Sequence, residues 1–369
     1  MKITKFLALL CAASMFAVGC EKTTDEPDGP KPTGDIVLTA TPATGEVGQP
    51  ITFTVTSNGV DVTESSEIFN SKTYDKVENP FTPTIDGEYS FYAVNGAAVS
   101  PVCKVTVTAE VPELAEDTDK ANTAFKHRVL IVDHTGTNCG WCPYVMDALH
   151  QLGEDDYGDR FHEAMAHTYD SSDPSYSAGA AQVSNAIKRN GGYYPDTNVN
   201  FYVGVNGLGA DVTGWINAFK NQIDKVWQAD GANAGISIAT VETSDSVLVN
   251  LEVKAAKEDD YRVACWLLED NVSGKQSGAY EDWQHTHNNG IRNITGVRNN
   301  ADISGDDLGK IAKGATAQKV VNIPIISTKW VRENLKVLVI VTAKNSSGKY
   351  DVVNTAVCPI NEKVGYDYL

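Results

Sequence analysis

The four residues Cys139-Gly140-Trp141-Cys142 constrain this chain more than any other feature, because of where they fall in the local pattern. The apolar run 129–132 predicts a buried strand, and Thr135-Gly136-Thr137-Asn138 is turn material. After Pro143, the residues Val145, Met146, Leu149 and Leu152 recur at helical spacing. The pair of cysteines is therefore expected where a strand hands over to a helix N-terminus. Free backbone N–H groups and the helix dipole stabilise a thiolate there, lowering a cysteine pKa from about 8.5 into roughly the 3.5–7.5 range. Two intervening residues bring both sulfurs within reach on one helical turn, so the motif reads as a reversible thiol-disulfide site, with Cys139 attacking and Cys142 resolving.

Asp133, six residues before Cys139, occupies the position at which thioredoxins keep a buried acid that handles the second thiol's proton. Further on, Gly191-Gly192-Tyr193-Tyr194-Pro195 precedes an alternating strand through Val199, Phe201 and Val203. This resembles the thioredoxin proline, which is cis and packs against the disulfide; an aromatic residue before proline favours that isomer. The resemblance implies that Asp133 accepts a proton, that Pro195 is the wall for an extended substrate strand, and that Tyr194 and Trp141 contact substrate. His167 ends a strand beside Ser171-Ser172-Asp173-Pro174, at the edge where open α/β sheets gather ligand groups. It is read either as lining the site or as a solvated strand-end histidine.

Two other readings of the motif stand beside exchange. A CxxC is half of a zinc site, but the remaining mature cysteines, Cys20, Cys103, Cys265 and Cys358, are single and scattered. A permanent disulfide on a reused scaffold is the second. No metal or organic cofactor is required by the exchange reading.

Residues 1–20 form a targeting segment: Lys2 and Lys5 are the charged region, an apolar stretch runs from Phe6 to Val18, and Ala17-Val18-Gly19-Cys20 closes it. It resembles a bacterial lipoprotein signal with Cys20 as the lipidated residue, and its apolar run is shorter than the roughly 20 residues a spanning helix needs. Residues 21–34 are polar and proline-rich and read as a flexible tether. Acidic residues just after Cys20 resemble the surface-export signal of Bacteroidetes lipoproteins. The formal charge is −18, and more negative by two once Lys2 and Lys5 leave with the signal. That excludes a basic face for nucleic acid and leaves membrane attachment to the acyl group.

Three folded segments follow. Residues 35–109 are β-rich, with Ile51, Phe53 and Val55 and then Tyr89, Phe91 and Ala93 alternating about an Asp86-Gly87 turn. They resemble small bacterial immunoglobulin-like modules, with Cys103 expected as a buried free thiol. Residues 110–125 read as a linker. Residues 126–230 read as a thioredoxin-like α/β domain with a strand near 161–168, a helix near 177–189, the strand after Pro195, and a last helix carrying Trp215, Ile216, Phe219, Ile223 and Val226. Residues 231–369 read as an antiparallel β-sandwich of six strands near 236–241, 247–253, 261–268, 320–325, 335–342 and 350–357. His285 and His287 are read as hydrogen-bonded loop residues or two metal ligands, and Cys265 and Cys358 as packed thiols or a cross-strand disulfide.

The run from Asp133 to Pro143, the later His285-Thr286-His287 with Arg292, and Trp330-Val331-Arg332-Glu333-Asn334-Leu335-Lys336-Val337 followed by Val352-Val353-Asn354-Thr355-Ala356 resemble the 28-kDa outer membrane protein family of Bacteroidetes. The likeness covers about 126–360. It implies a lipid-anchored outer-membrane protein with a thioredoxin-like domain followed by a β-sandwich; the CxxC with Asp133 and Pro195 adds the expectation of exchange with extracytoplasmic protein thiols or disulfides. The competing expectation is a surface scaffold whose CxxC is a permanent disulfide.

Overall fold

The computed structural model describes residues 33–187, 193–299 and 301–369. The signal segment with Cys20, and Gly191 and Gly192, lie outside the described residues. The chain divides into two compact units, one formed mainly by Pro50–Thr82 and Glu88–Thr106, the other mainly by Val107–Leu369.

The front of the chain supplies β1 (Ile36–Thr41), β2 (Thr44–Glu46), β3 (Thr52–Ser57), β4 (Val60–Asp61), β5 (Glu67–Asn70), β6 (Gly87–Asn95), β7 (Ala98–Val99) and β8 (Cys103–Thr108). They form a sheet in the order β1-β3-β4 and a second in the order β2-β8-β6-β5, with β7 on β6. Alternation places Phe53 of β3 and Phe91 of β6 inward, and their rings meet at 4.8 Å between the sheets. Cys103, expected buried, is a half-buried free thiol at the first position of its strand. The tether expectation for 21–34 gives way at its end, where Thr33 bridges Val99.

The second unit continues with β9 (Val129–Thr135), α1 (Cys142–Gly153), β10 (Phe161–His167), α2 (Ala178–Ile187), β11 (Asp196–Val199), β12 (Val203–Val205) and α3 (Val212–Val226). Then come β13 (Ala234–Glu242), β14 (Ser246–Ala255), β15 (Asp259–Glu269), β16 (Val272–Ser273), β17 (Thr286–His287), β18 (Gly290–Ile294), β19 (Asp306–Ile311), β20 (Thr316–Pro324), β21 (Leu335–Lys344), β22 (Tyr350–Pro359) and β23 (Lys363–Val364). One mixed sheet runs β12-β11-β9-β10-β18-β15-β21-β22, with β19 also on β15. The strands read from sequence as an α/β layer and those read as a sandwich therefore share a sheet. They join where β10 runs parallel to β18, Met165 opposite Gly290.

Side-chain period explains the layers. Val129 and Ile131 face one side and pack on Val145, Leu149 and Leu152 of α1 and on Trp215 and Phe219 of α3. Leu130 and Val132 face the other side with Ala180 and Val183 of α2. Farther along, Val263, Cys265, Val337 and Val339 pack against Ile236, Val249 and Leu251 of a second sheet ordered β20-β14-β13-β23. That two-sheet packing is the antiparallel half expected after residue 231. The segment 110–125 is extended and pinned, with Asp117 ion-paired at 2.9 Å to the buried Lys254.

One element departs from its sequence pattern. The alternation of Val199, Phe201 and Val203 predicts a continuous strand, but Asn200 and Phe201 have φ of +46° and +69° and turn the chain into a hairpin between β11 and β12. A phenylalanine in that backbone region is uncommon. Burial of its ring on the α2 face, against Trp266 at 6.1 Å, accompanies it.

Candidate redox site

β9 carries the chain to the carboxyl edge of the sheet, and residues 136–141 turn it into α1, whose first residue is Cys142. Cys139 and Cys142 are joined by a disulfide, which accounts for both sulfurs without zinc. Trp141 occupies the N-cap but provides no side-chain cap, and Pro143 stands at the helix start, where its missing N–H costs nothing. The described N–H groups of the first turn go to carbonyls, Cys142 to Cys139 and Tyr144 to Trp141, each at 3.4 Å.

Asp133 lies on β9 between Ile131 and Thr135, on the α1 face of the sheet, and is 1% exposed. Neither carboxyl oxygen has a hydrogen-bond partner. Burial pushes its pKa well above the ordinary 3.8, and the nearby carboxyls of Glu163 and Asp196 push the same way; the Thr135 hydroxyl opposes weakly without making a bond of good geometry. Glu163, two residues before Met165 on the adjacent strand, is raised by the same cause although Asn289 Nδ2 donates to its Oε1 at 2.6 Å. Asp133 is thus a buried acid that keeps its proton to higher pH than a free carboxyl.

β11 pairs antiparallel with β9, Thr197 opposite Asp133 and Asp196 opposite His134. The residue before them, Pro195, is buried at the strand end from which the loop to Cys139 departs, and the Tyr194–Pro195 bond is cis. The Tyr194 hydroxyl donates to the Thr168 carbonyl at 3.0 Å, and its ring meets Tyr169 edge-on at 5.2 Å. Trp141 is 56% exposed and packs at 6.0 Å on Tyr144 of α1.

His167 is not a solvated strand-end residue: it is fully buried, its ring 4.9 Å from that of His287. Its Nδ1 is 3.0 Å from Asp173 Oδ2, which also accepts the Thr137 N–H at 2.6 Å. Burial works against the Asp173 carboxylate, but His167 and the N–H groups of Thr137 and Ser175 hold it below the usual range. The pair anchors the loop that presents Cys139. Sequence reasoning placed His167 at the correct strand end and missed Asp173, its partner in the polar loop.

The larger omission is the segment 274–287, which leaves the sheet after β15 and folds over the disulfide. Gln276 Nε2 donates to the carbonyls of Cys139 at 2.9 Å and Gly136 at 3.3 Å, and the Ser277 N–H donates to Thr137 at 2.7 Å. Gln284 Nε2 donates to the Pro143 carbonyl at 2.9 Å. With this cover in place Cys139, read as the attacking residue, is 2% exposed, against 0% for Cys142. Nothing in the local sequence of 274–287 signals such a role, since its contacts are to main-chain atoms far away along the chain.

His285 and His287 are held by main-chain bonds of this same segment: His285 Nδ1 accepts the Gln276 N–H at 3.0 Å, and His287 Nε2 lies 3.2 Å from the Gly274 carbonyl. Among the described residues no group of three or more His, Cys, Asp and Glu is arranged to hold a metal. Cys265 and Cys358 do not pair; each is a buried free thiol, and β21 lies between their strands. Burial pushes the Cys265 thiol up to about 12 and the Cys358 thiol to about 11, so both are inert. Among the described residues no helix is long and apolar enough to cross a membrane.

Fold and site together define a mostly β protein of more than one unit that carries a CxxC disulfide at the junction of a sheet strand and a helix. HBP35 of Porphyromonas gingivalis shares that fold: it superposes with a TM-score of 0.50 at 18% identity, over 65% of this chain and 77% of that one. A Corynebacterium diphtheriae protein (TM-score 0.18, 10% identity, 92% and 60% of the two chains) and domains 4–9 of the surface layer protein SbsC (TM-score 0.16, 9% identity, 89% and 51%) are too remote for argument. No protein-family profile and no curated protein sequence matches the chain.

Proposed function

We propose that this protein is a thiol-disulfide exchange protein of the cell envelope, acting on extracytoplasmic protein thiols or disulfides. The observation that carries the reading is Asp133: a carboxyl buried on the α1 face with no hydrogen-bond partner weakens the fold. A permanent disulfide has no use for it, whereas a thiol that must gain and lose a proton does. The chain order β9-α1-β10-α2-β11-β12-α3, a parallel pair followed by an antiparallel hairpin, supports a thioredoxin-like layer, with Pro195 and Tyr194 at the substrate edge.

In reduction of the site, a partner thiolate bonds to Cys139 Sγ as the Cys139–Cys142 bond breaks. The electron pair leaves on Cys142 Sγ, and the Asp133 proton neutralises it. Attack by the partner's second thiol on the mixed disulfide then frees Cys139, so two electrons pass from the partner dithiol to the pair. Run backwards, the same steps reduce a client disulfide and oxidise the pair: the Cys139 thiolate attacks the client disulfide, and Cys142 resolves the mixed disulfide as Asp133 accepts its proton.

Cys142→Ser tests this directly. In cells the variant is expected to accumulate mixed disulfides through Cys139, visible as mass-shifted species that collapse on adding reductant, while Cys139→Ser forms none. Absence of adducts, together with a potential below about −300 mV, would instead define a structural disulfide. That second reading, a surface scaffold, is favoured by the burial of both sulfurs.

Location in the envelope rests on residues 1–20 and on the lipid we assign to Cys20, and the resemblance to the 28-kDa outer membrane protein family points to the outer membrane. Cells given labelled palmitate should label the wild-type chain and not Cys20→Ser, which should appear in the soluble fraction. Labelled, membrane-bound Cys20→Ser would overturn the assignment.

A further inference from the structure

The segment 274–287 is tied at its neck by a two-residue ladder, Val272 opposite His287 and Ser273 opposite Thr286, closed by the Gly274 N–H to His285 carbonyl bond at 2.9 Å. Asn271 and Asn289, with φ of +58° and +57°, flank that neck. The lobe beyond it is stiff: Gln284 is fully buried, its Oε1 accepting the N–H groups of Tyr280 at 2.9 Å and Glu281 at 3.2 Å. Gly278 sits so close to the CxxC backbone that a Cβ there would collide with the Gly140 carbonyl, and its φ of +71° suits glycine.

Among the described residues, the hydrogen bonds from this lobe to the disulfide loop go to main-chain carbonyls: Gly136, Thr137, Cys139 and Pro143. None goes to a sulfur, so those bonds do not depend on whether the disulfide is open. Opening the disulfide therefore does not by itself release the cover. The outer surface offers a handle, since Trp141, Tyr280 and Trp283 are all exposed; Trp141 and Tyr280 both pack on Tyr144, at 6.0 and 5.3 Å, and Trp283 lies 4.7 Å from His150 of the same helix. Tyr280 also fastens the lobe to α1 by donating to Asp147 Oδ2 at 2.7 Å.

We propose that 274–287 is the specificity-determining element of the exchange site. Gln276 is its clasp, and the segment shuts Cys139 away from small thiols until a protein partner engages the aromatic rim and lifts it. The proposal rests on the exchange reading given above. It also explains why the attacked cysteine is buried in a site that carries a buried, unpaired acid. Gln276 touches no reacting atom in this scheme; it positions the cover.

The test is the rate at which dithiothreitol reduces the full chain, followed by quench and mass-shift of the peptide carrying Cys139 and Cys142. Opening before attack predicts that the wild-type rate saturates as dithiothreitol is raised, at a plateau equal to the hydrogen-exchange rate of the Ser277 amide, read in the limit where every opening leads to exchange. Gln276→Ala, which removes the clasp, and Gly278→Ala, which wedges the contact, should each speed reduction about tenfold or more at low thiol. That is the change expected when one or two net hydrogen bonds are lost from the closed state. The redox potential should stay unchanged in both variants. A wild-type rate that climbs linearly with dithiothreitol, or folded variants that react at the wild-type rate, would overturn the gate. Should the potential prove structural instead, the exchange reading fails, while the plateau still reports whether the cover opens.

Discussion

Asp133→Asn should make the protein more stable as pH rises while crippling exchange. A buried carboxyl whose pKa is raised on folding holds its proton in the native state after the unfolded chain has lost it. The native state is then penalised as pH climbs from the ordinary aspartate value of 3.8 towards the raised one, by about 1.4 kcal/mol per pH unit. Below that window both states are protonated and the penalty is absent. Asparagine carries no such proton, so the stability difference in its favour should be small in acid and grow through the window, then level off. Urea melts of both proteins at a series of pH values measure this; parallel curves would remove the unpaired acid from the account. In exchange, resolution of a mixed disulfide should slow by about 10² or more with loss of the proton carrier, while the first attack by the Cys139 thiolate should barely change. A gain in stability coupled to a loss of one kinetic step is a signature that a purely structural disulfide does not produce.

The second large effect lies outside the reacting atoms. Arg292 of β18 and Glu269 of β15 form an ion pair at 2.6 Å with both side chains buried. Arg292 also donates to the Pro174 carbonyl at 3.0 Å, and Glu269 Oε1 accepts the Val331 N–H at 2.8 Å. The pair thus ties the base of the 274–287 excursion, the loop that holds Asp173, and the start of the 331–335 turn. Arg292→Met strands the glutamate as a buried charge and should cost about 3–5 kcal/mol. Pairing it with Glu269→Leu should restore much of that, because removing both charges avoids the uncompensated one. The readout is the denaturant midpoint of the transition that reports Val107–Leu369, and equal midpoints for Arg292→Met and wild type would refute the assignment.

The sequence alone determined the parts of this protein that depend on neighbouring residues. The run 129–132, the turn at 135–138 and the spacing of Val145, Leu149 and Leu152 placed a CxxC at a strand-to-helix junction, because strand and helix periods are written within a few residues. The six long strands after residue 231 were legible for the same reason, while the cis bond before Pro195 and the buried acid at Asp133 were read from the resemblance to thioredoxin. Whether Phe201 continues a strand or turns a hairpin was not, since its alternation with Val199 and Val203 fits both. Only the tertiary structure decided what surrounds the motif. It fused the α/β layer and the antiparallel strands into one sheet through the β10–β18 seam, buried His167 against Asp173, kept Cys265 and Cys358 apart, and laid 274–287 over Cys139. The cover rests on a Gln276 side chain donating to the Cys139 carbonyl, between segments more than a hundred residues apart, and a carbonyl oxygen looks the same at every position in a sequence.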